Sequence, residues 1–322
     1  MNSFGKFFIL SDYGGTHEPH IGGTIQGCPE GIELDIEFIQ SELARRAPSS
    51  HPYSTQRCEP DVVEFLSGIK NGKTIGDTIE FRIQNKDIVI DETMLHIIKP
   101  SHASYTYKMK YGIKDNSGTG RASARQTACR VVAGAIAKLY LKQFRIEIEA
   151  WSEGVKERRS EGVKERRSEG ARDKGDTFGA WVNCIIRNLP AGLGEPVYDK
   201  FDARLAYAML SINACKGFQI GRGFESAHMK GTEYNDIQNT DFSFQSNNDG
   251  GVQAGITNGQ DVYFSVAFKP VPTLQIEQQT IDFSGNPLTY KGSSRNDRCV
   301  SPRVLPVVEA MAAIVVADFL LQ

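Results

Sequence analysis

Apolar residues recur at helical spacing over residues 34–46, LDIEFIQSELARR, where Leu34, Ile36, Ile39 and Leu43 share one stripe and predict an amphipathic helix. Residues 74–91, TIGDTIEFRIQNKDIVID, alternate instead and predict strands around a polar turn. A second helix is predicted over 124–143, through VVAGAIAKLYLKQF, and FRIEIEAW (144–151) alternates as a strand after it. DTFGAWVNCIIRNLP (176–190) predicts another strand, ended by Pro190. DKFDARLAYAMLSINACKGFQIG (199–221) predicts a small-residue helix over 203–216 that closes at Gly217. QDVYFSVAFKP (260–270) predicts a strand, and PVVEAMAAIVVADFLL (306–321) a last apolar helix with Pro306 in its first turn. The helices at 124–143, 203–216 and 306–321 are apolar on most faces, which predicts burial. Strands and helices mix without strict alternation, which points to α+β rather than a doubly wound α/β sheet.

One stretch breaks this pattern. Residues 152–167 are SEGVKERR twice in perfect tandem, followed by a third start, SEGARDKGD. An eight-residue period matches no solenoid unit, and two copies cannot stack into a core. Charge density and the lack of large apolar residues predict that 152–172 is a solvated surface insert without catalytic chemistry.

Composition adds bounds. The 322 residues are 40% hydrophobic and 24% charged with a formal net charge of −2, an ordinary globular balance for one large domain or two medium ones. Near-neutral charge gives no electrostatic case for nucleic acid. No apolar run approaches the roughly 20 residues that span a bilayer, and the opening MNSFGKFFILSDYGG lacks the form of a signal peptide. Six scattered cysteines form no CxxC pair, which argues against a zinc site or disulfide framework and fits a reducing compartment. No metal is expected.

The segment with the most chemistry is SGTGRASARQTACRVVAGAIAK (117–138). Gly118 and Gly120 lead into Arg121, Ser123 and Arg125 at the mouth of an apolar helix. A helix N-terminus with free N–H groups and two guanidiniums suits an anion; these residues alone slightly favour a capped surface helix with solvated arginines. A nucleotide-binding phosphate loop is disfavoured, because no Gly-Lys-Ser/Thr follows and no Gly-x-Gly-x-x-Gly opens a strand–helix unit.

Six ordered motifs together resemble the chorismate synthase family, bacterial type, over nearly the whole chain. They are SFGKFFILSDYGGTHEPHIGG, KPSHASYTYKMKYGIKD, the glycine–arginine segment, LPAGLGEPVYDKFDARLAYAMLSINACKGFQIGRGF, NNDGGVQAGITNG and SSRNDRCVSPRVLPVVEAMAA. The resemblance implies a single-domain α+β sandwich with helices between antiparallel sheets, assembled as a homotetramer in the cytoplasm. It implies a lyase that eliminates phosphate from 5-enolpyruvylshikimate 3-phosphate to give chorismate, using reduced FMN, with NADPH as one source of reducing equivalents. It favours an anion site as the answer to the glycine–arginine segment.

Residue by residue, the resemblance implies that His17 acts at the leaving phosphate, that His102 controls protonation of the reduced flavin, and that Asp297 assists removal of the ring proton. It places Arg121, Ala122, Ser123, Asn213, Ala214, Ala254, the loop Lys269, Pro270, Val271, Pro272 and Thr273, and Arg295 on the flavin. Arg46, Lys99, Arg125 and Arg303 are its substrate contacts, since a phosphate and two carboxylates cannot be buried without paired cations.

The chain departs from the family pattern at several positions. Gly15-Thr16 stands where the family has Glu-Ser, Ser104 where an aspartate follows the second histidine, and Ala122 where a hydroxyl belongs. Asn296 and Arg298 flank Asp297 in place of a histidine and a proline, and the tandem repeat replaces a segment with an Arg-Cys-Pro-Asp motif. Pro52 replaces an arginine, which favours an external source of reduced flavin. These changes keep a second reading in play, a catalytically impaired flavin- or phosphate-binding relative with a structural role.

Overall fold

The computed structural model describes residues 2–48, 54–55, 59–88, 95–112, 120–152, 175–292 and 296–322. The tandem repeat beyond Ser152, Pro52 and Arg295 lie outside them, as do the expectations attached to those positions.

Two antiparallel sheets enclose a layer of helices. The first sheet contains β1 (Ser3–Phe4), β2 (Ile9–Gly14), β3 (His20–Gln26), β4 (Val63–Ser67) and β5 (Ile79–Gln84), in the order β1-β2-β3-β5-β4. Alternation is explicit in β5, where Ile79, Phe81 and Ile83 are fully buried and the intervening residues are not. The second sheet contains β6 (Glu147–Ser152), β7 (Ala180–Arg187), β8 (Cys215–Ile220) and β9 (Val262–Phe268), in the order β8-β9-β7-β6. Val182, Cys184 and Ile186 of β7 and Val262, Phe264 and Val266 of β9 supply its inner face.

Between the sheets lie α1 (Ile36–Arg46), α3 (Thr127–Leu141), α4 (Phe201–Leu210) and α5 (Ser301–Leu320); the short α2 (Ser104–Tyr111) flanks the site described below. Helix α3 faces the first sheet and α5 the second, and the two pack against each other. Their close approach requires Gly134, since a Cβ there would stand 2.2 Å from the Ala310 Cβ and 2.3 Å from its Cα. A helix apolar all round is stable only when covered on every side, and α3 and α5 meet that condition.

The helix layer also holds a charge network around two buried carboxylates, Glu42 and Glu309. Arg45 donates to both oxygens of Glu309 at 2.7 Å and to Glu42 at 2.6 Å, while Lys138 reaches Glu42 at 2.5 Å and Glu309 at 2.6 Å. The Ala150 N–H of β6 adds a bond to Glu309 at 3.1 Å. Two carboxylates and two cations thus tie α1, α3, α5 and the second sheet together. Burial alone would raise the Glu309 carboxyl, but hydrogen bonds from Arg45 and the charge of Lys138 hold it below the usual carboxylate range.

Three expectations are corrected. On α1 the inward face is Ile39, Glu42, Leu43 and Arg46, whereas Ile36 is exposed, because the stripe turns toward the charge network. The helix expected over 203–216 ends at Leu210. Ala214 adopts φ +66°, and the chain from Cys215 pairs with β9, so ladder hydrogen bonds override local helix propensity. The last helix begins at Ser301, with Pro302 in its first turn. Pro306 is interior, where it removes one N–H from the helical ladder.

Candidate active site

A cavity of about 650 Å³ opens where the 14–18 turn, the start of α3, the α4–β8 turn, the loop after β9 and the start of α5 meet. Of the residues expected at a site, His17, His102, Asp297, Ala122, Ser123, Asn213, Ala214, Lys269, Val271, Pro272, Thr273, Arg46, Lys99, Arg125 and Arg303 all line it. Pro270 is not among the lining residues. Arg121 lines a neighbouring cavity of about 740 Å³, where it pairs with Asp12 and donates to the Gly14 carbonyl at 3.3 Å. Ala254 is an exposed turn residue at φ +52° that lines neither. Ala122 and Asn213 form the wall between the two cavities, and Asn213 donates to the Ala122 carbonyl at 2.7 Å.

The glycine–arginine segment resolves locally. Two short 3-10 turns, Gly120–Ala122 and Ala124–Gln126, precede α3. The Ser123 hydroxyl accepts the Arg125 N–H at 3.2 Å and caps the second turn. This geometry sends Arg125 to the first cavity and Arg121 to the second.

Arg125 and Arg46 are almost wholly buried and are held by several acceptors each. Arg46 donates through Nε to Thr127 Oγ1 (3.0 Å), through Nη1 to Asp61 (2.6 Å) and through Nη2 to the Ala124 carbonyl (3.1 Å). Arg125 donates through Nε to Asn85 (2.8 Å), with Glu59 at 3.2 Å, and through Nη1 to the other oxygen of Asp61. Burial pushes the Arg46 guanidinium down to about 10, helped by the neighbouring charges of Arg303 and Arg125 and opposed by Asp61. It remains a cation at neutral pH.

His17 sits in the turn closed by the Glu18 N–H on the Gly15 carbonyl (3.2 Å). The Asn85 amide holds that turn by donating to the Gly15 and Glu18 carbonyls at 3.0 and 2.6 Å. His102 lies before α2, and its Nδ1 is buried without a hydrogen-bond partner among the described residues. Burial pushes its imidazole down to about 4, and the charges of Lys99 and Lys269 act in the same direction. Asp297, which lines the cavity, accepts the Thr55 N–H at 2.8 Å on one oxygen and pairs with Arg303 at 2.6 Å through the other.

Ser104 shows how one departure is absorbed. It is buried, and its hydroxyl accepts the Lys99 N–H at 3.1 Å. Serine therefore keeps an acceptor at the mouth of α2, beside the site where Lys99 and His102 emerge.

Sequence reasoning missed Asp61, Glu59, Asn85 and Thr127. Their importance comes from pairing with arginines between 15 and 81 residues away, which only the fold brings near.

Five cationic side chains, two imidazoles and three carboxylates (Glu59, Asp87 and Asp297) line one cavity, and the excess of cations suits a small polyanion. The chorismate synthase family model matches residues 8–321. The chain is 49% identical to a chorismate synthase of Christiangramia forsetii, covering 100% of this chain and 98% of that protein. It is 46% identical to one from Phocaeicola vulgatus, with the same coverage. A crystal structure of chorismate synthase superposes with a TM-score of 0.77 at 29% identity, over 99% of this chain and 93% of the other.

Proposed function

Because the chain belongs to the chorismate synthase family, a family of carbon–oxygen lyases, we propose that it eliminates phosphate from 5-enolpyruvylshikimate 3-phosphate to give chorismate, with reduced FMN as cofactor. The observation that carries this reading is the convergence of Arg46, Lys99, Arg125, Lys269 and Arg303 with His17, His102 and Asp297 on one cavity. A substrate with a phosphate and two carboxylates needs such a set of cations to leave water.

The cavity volume lies within the range of ligand pockets, about 300–1,000 Å³. Its polar floor offers His102 Nδ1, a buried atom without a partner among the described residues, and its rim offers the Lys269–Thr273 loop and the Asn213–Ala214 turn. This donor set fits a flavin, with Ala122, Ser123, Asn213, Ala214 and the 269–273 loop holding it. Arg121, in the neighbouring cavity, and Ala254, outside both, stand apart from this set; Arg295 stays as an assigned contact. When bound, reduced FMN supplies an electron-rich partner to an elimination that has no net redox change.

The chain's own residues do the rest. Arg46, Arg125 and Arg303 bind and orient the anionic groups. His17 serves as the acid at the departing phosphate, where developing charge is largest. Asp297 assists proton removal from the ring, its carboxylate held in place by Arg303. His102 is neutral in the free protein; an anion that neutralises Lys99 and Lys269 removes part of what depresses it, so ligand binding prepares His102 to hold a proton near the cofactor.

The working protein is a cytoplasmic homotetramer in this reading, and its flavin is reduced either with NADPH or by an external reductant. Among the described residues no helix is long and apolar enough to cross a membrane. The test is anaerobic turnover with photoreduced FMN, following chorismate. Chorismate formation sustains the proposal. FMN binding with substrate-dependent spectral change but no product would establish the impaired relative instead.

A further inference from the structure

We propose that Asp61 is a positioning residue of this site, which fastens Arg46 and Arg125 from behind as a matched pair of oxyanion-binding forks. The proposal rests on the polyanion-binding lyase reading above. Asp61 is 1% exposed and is not among the residues lining the cavity, whereas both arginines line it. Its two carboxylate oxygens are divided between them, Oδ2 to Arg46 Nη1 at 2.6 Å and Oδ1 to Arg125 Nη1.

A guanidinium has five N–H donors in a rigid plane. Arg46 commits three of them to Thr127, Asp61 and Ala124, and Arg125 commits three to Asn85, Asp61 and Gln84. Among the described residues each arginine therefore retains two donors. Two planes locked to one carboxylate present four N–H groups in a fixed relation, which suits an oxyanion with several equivalent oxygens better than a small monovalent anion. Without the shared carboxylate Arg125 keeps Glu59, but the two guanidiniums are no longer fastened to a common group.

The backbone supports a clean test. Asp61 has φ +48°, in the left-handed region that asparagine and glycine tolerate as readily as aspartate. Asp61→Asn keeps shape and backbone and removes the charge. It presents an amide N–H₂ to one of the two guanidiniums.

The experiment compares the full-length parent and Asp61→Asn by calorimetric titration with inorganic phosphate and with nitrate, and by anaerobic turnover. Positioning predicts that the preference for phosphate over nitrate falls at least tenfold and that kcat falls at least 100-fold. An unchanged preference, or kcat and KM within threefold of the parent despite a lowered Tm, would make Asp61 a structural counter-ion and overturn the proposal. Should Asp61→Asn fail to fold, Asp61→Gly is prepared and assayed with formate, which fits the vacated carboxylate site; turnover and phosphate preference restored by formate support positioning. Failure of both variants to fold assigns Asp61 to folding and overturns it. A parent that prefers phosphate yet forms no chorismate would sink the lyase reading, while the phosphate-to-nitrate comparison would still decide the role of Asp61.

Discussion

Asn85 joins the two halves of the cavity: its side-chain oxygen accepts Arg125 Nε at 2.8 Å, while its amide nitrogen holds the turn that carries His17. Both of its functional ends are used, so it couples an anion-binding guanidinium to an imidazole 108 residues away in sequence. Asn85→Ala should leave the Arg125 Nε with Glu59 alone and release the Gly15 and Glu18 carbonyls. Loss of these bonds costs about 1–3 kcal/mol, and roughly 10- to 100-fold in kcat/KM is expected. Steady-state kinetics check this; an unchanged kcat/KM would mean that the turn holds its place without Asn85.

His102 should titrate near 4 in the free protein, below its ordinary 6.5. Folding favours its neutral form. The stability this group contributes is therefore present above about 6.5 and is lost as pH falls from 6.5 toward 4, on the order of 3 kcal/mol. His102→Asn should flatten that part of the stability–pH curve in urea unfolding. Nuclear magnetic resonance of the imidazole should show its titration moving upward when phosphate is added.

His17→Ala should lower turnover by roughly 10²–10⁴-fold, the range for a general acid, with little loss of FMN affinity. Arg295→Ala should weaken FMN binding instead. Fluorescence titration of FMN beside anaerobic turnover separates the two, and full turnover in His17→Ala would remove His17 from the chemistry.

The Arg45–Glu42–Lys138–Glu309 network governs stability rather than catalysis. Glu309→Gln leaves the partly buried Lys138 and the exposed Arg45 to share Glu42 alone and should destabilise the fold by roughly 1–3 kcal/mol, with the kcat of folded protein unchanged. Because the Glu309 carboxyl is held below its ordinary 4.5, its contribution is present above pH 4.5 and disappears as pH falls through the lower folded value. Thermal melts of parent and variant between pH 3 and 7 should converge at the acid end.

Gly134→Ala tests the helix crossing. The added methyl meets Ala310 at 2.2 Å, so α3 and α5 must separate, at a cost of about 1–3 kcal/mol or more. Chemical denaturation would measure it, and a variant as stable as the parent would show that the helix pair yields without penalty.

Periodicity determined much of this protein without any partner in view. The strands at 79–84, 180–187 and 262–268, the helix at 127–141 and the last helix were legible because each pattern records a face that must leave water. The ordered motifs likewise named most of the cavity's lining, through their resemblance to the chorismate synthase family. Tertiary structure decided what depends on distant pairing. It ended the third helix at Leu210, where Cys215–Ile220 found a ladder on β9, and it turned α1 so that Glu42 and Arg46 face inward. It sent Arg121 and Arg125, four residues apart, to different cavities, and it set Asp61 and Asn85 behind the arginines. A buried carboxylate between two guanidiniums leaves no trace in local spacing, because its energy exists only when charges from remote segments are brought together out of water.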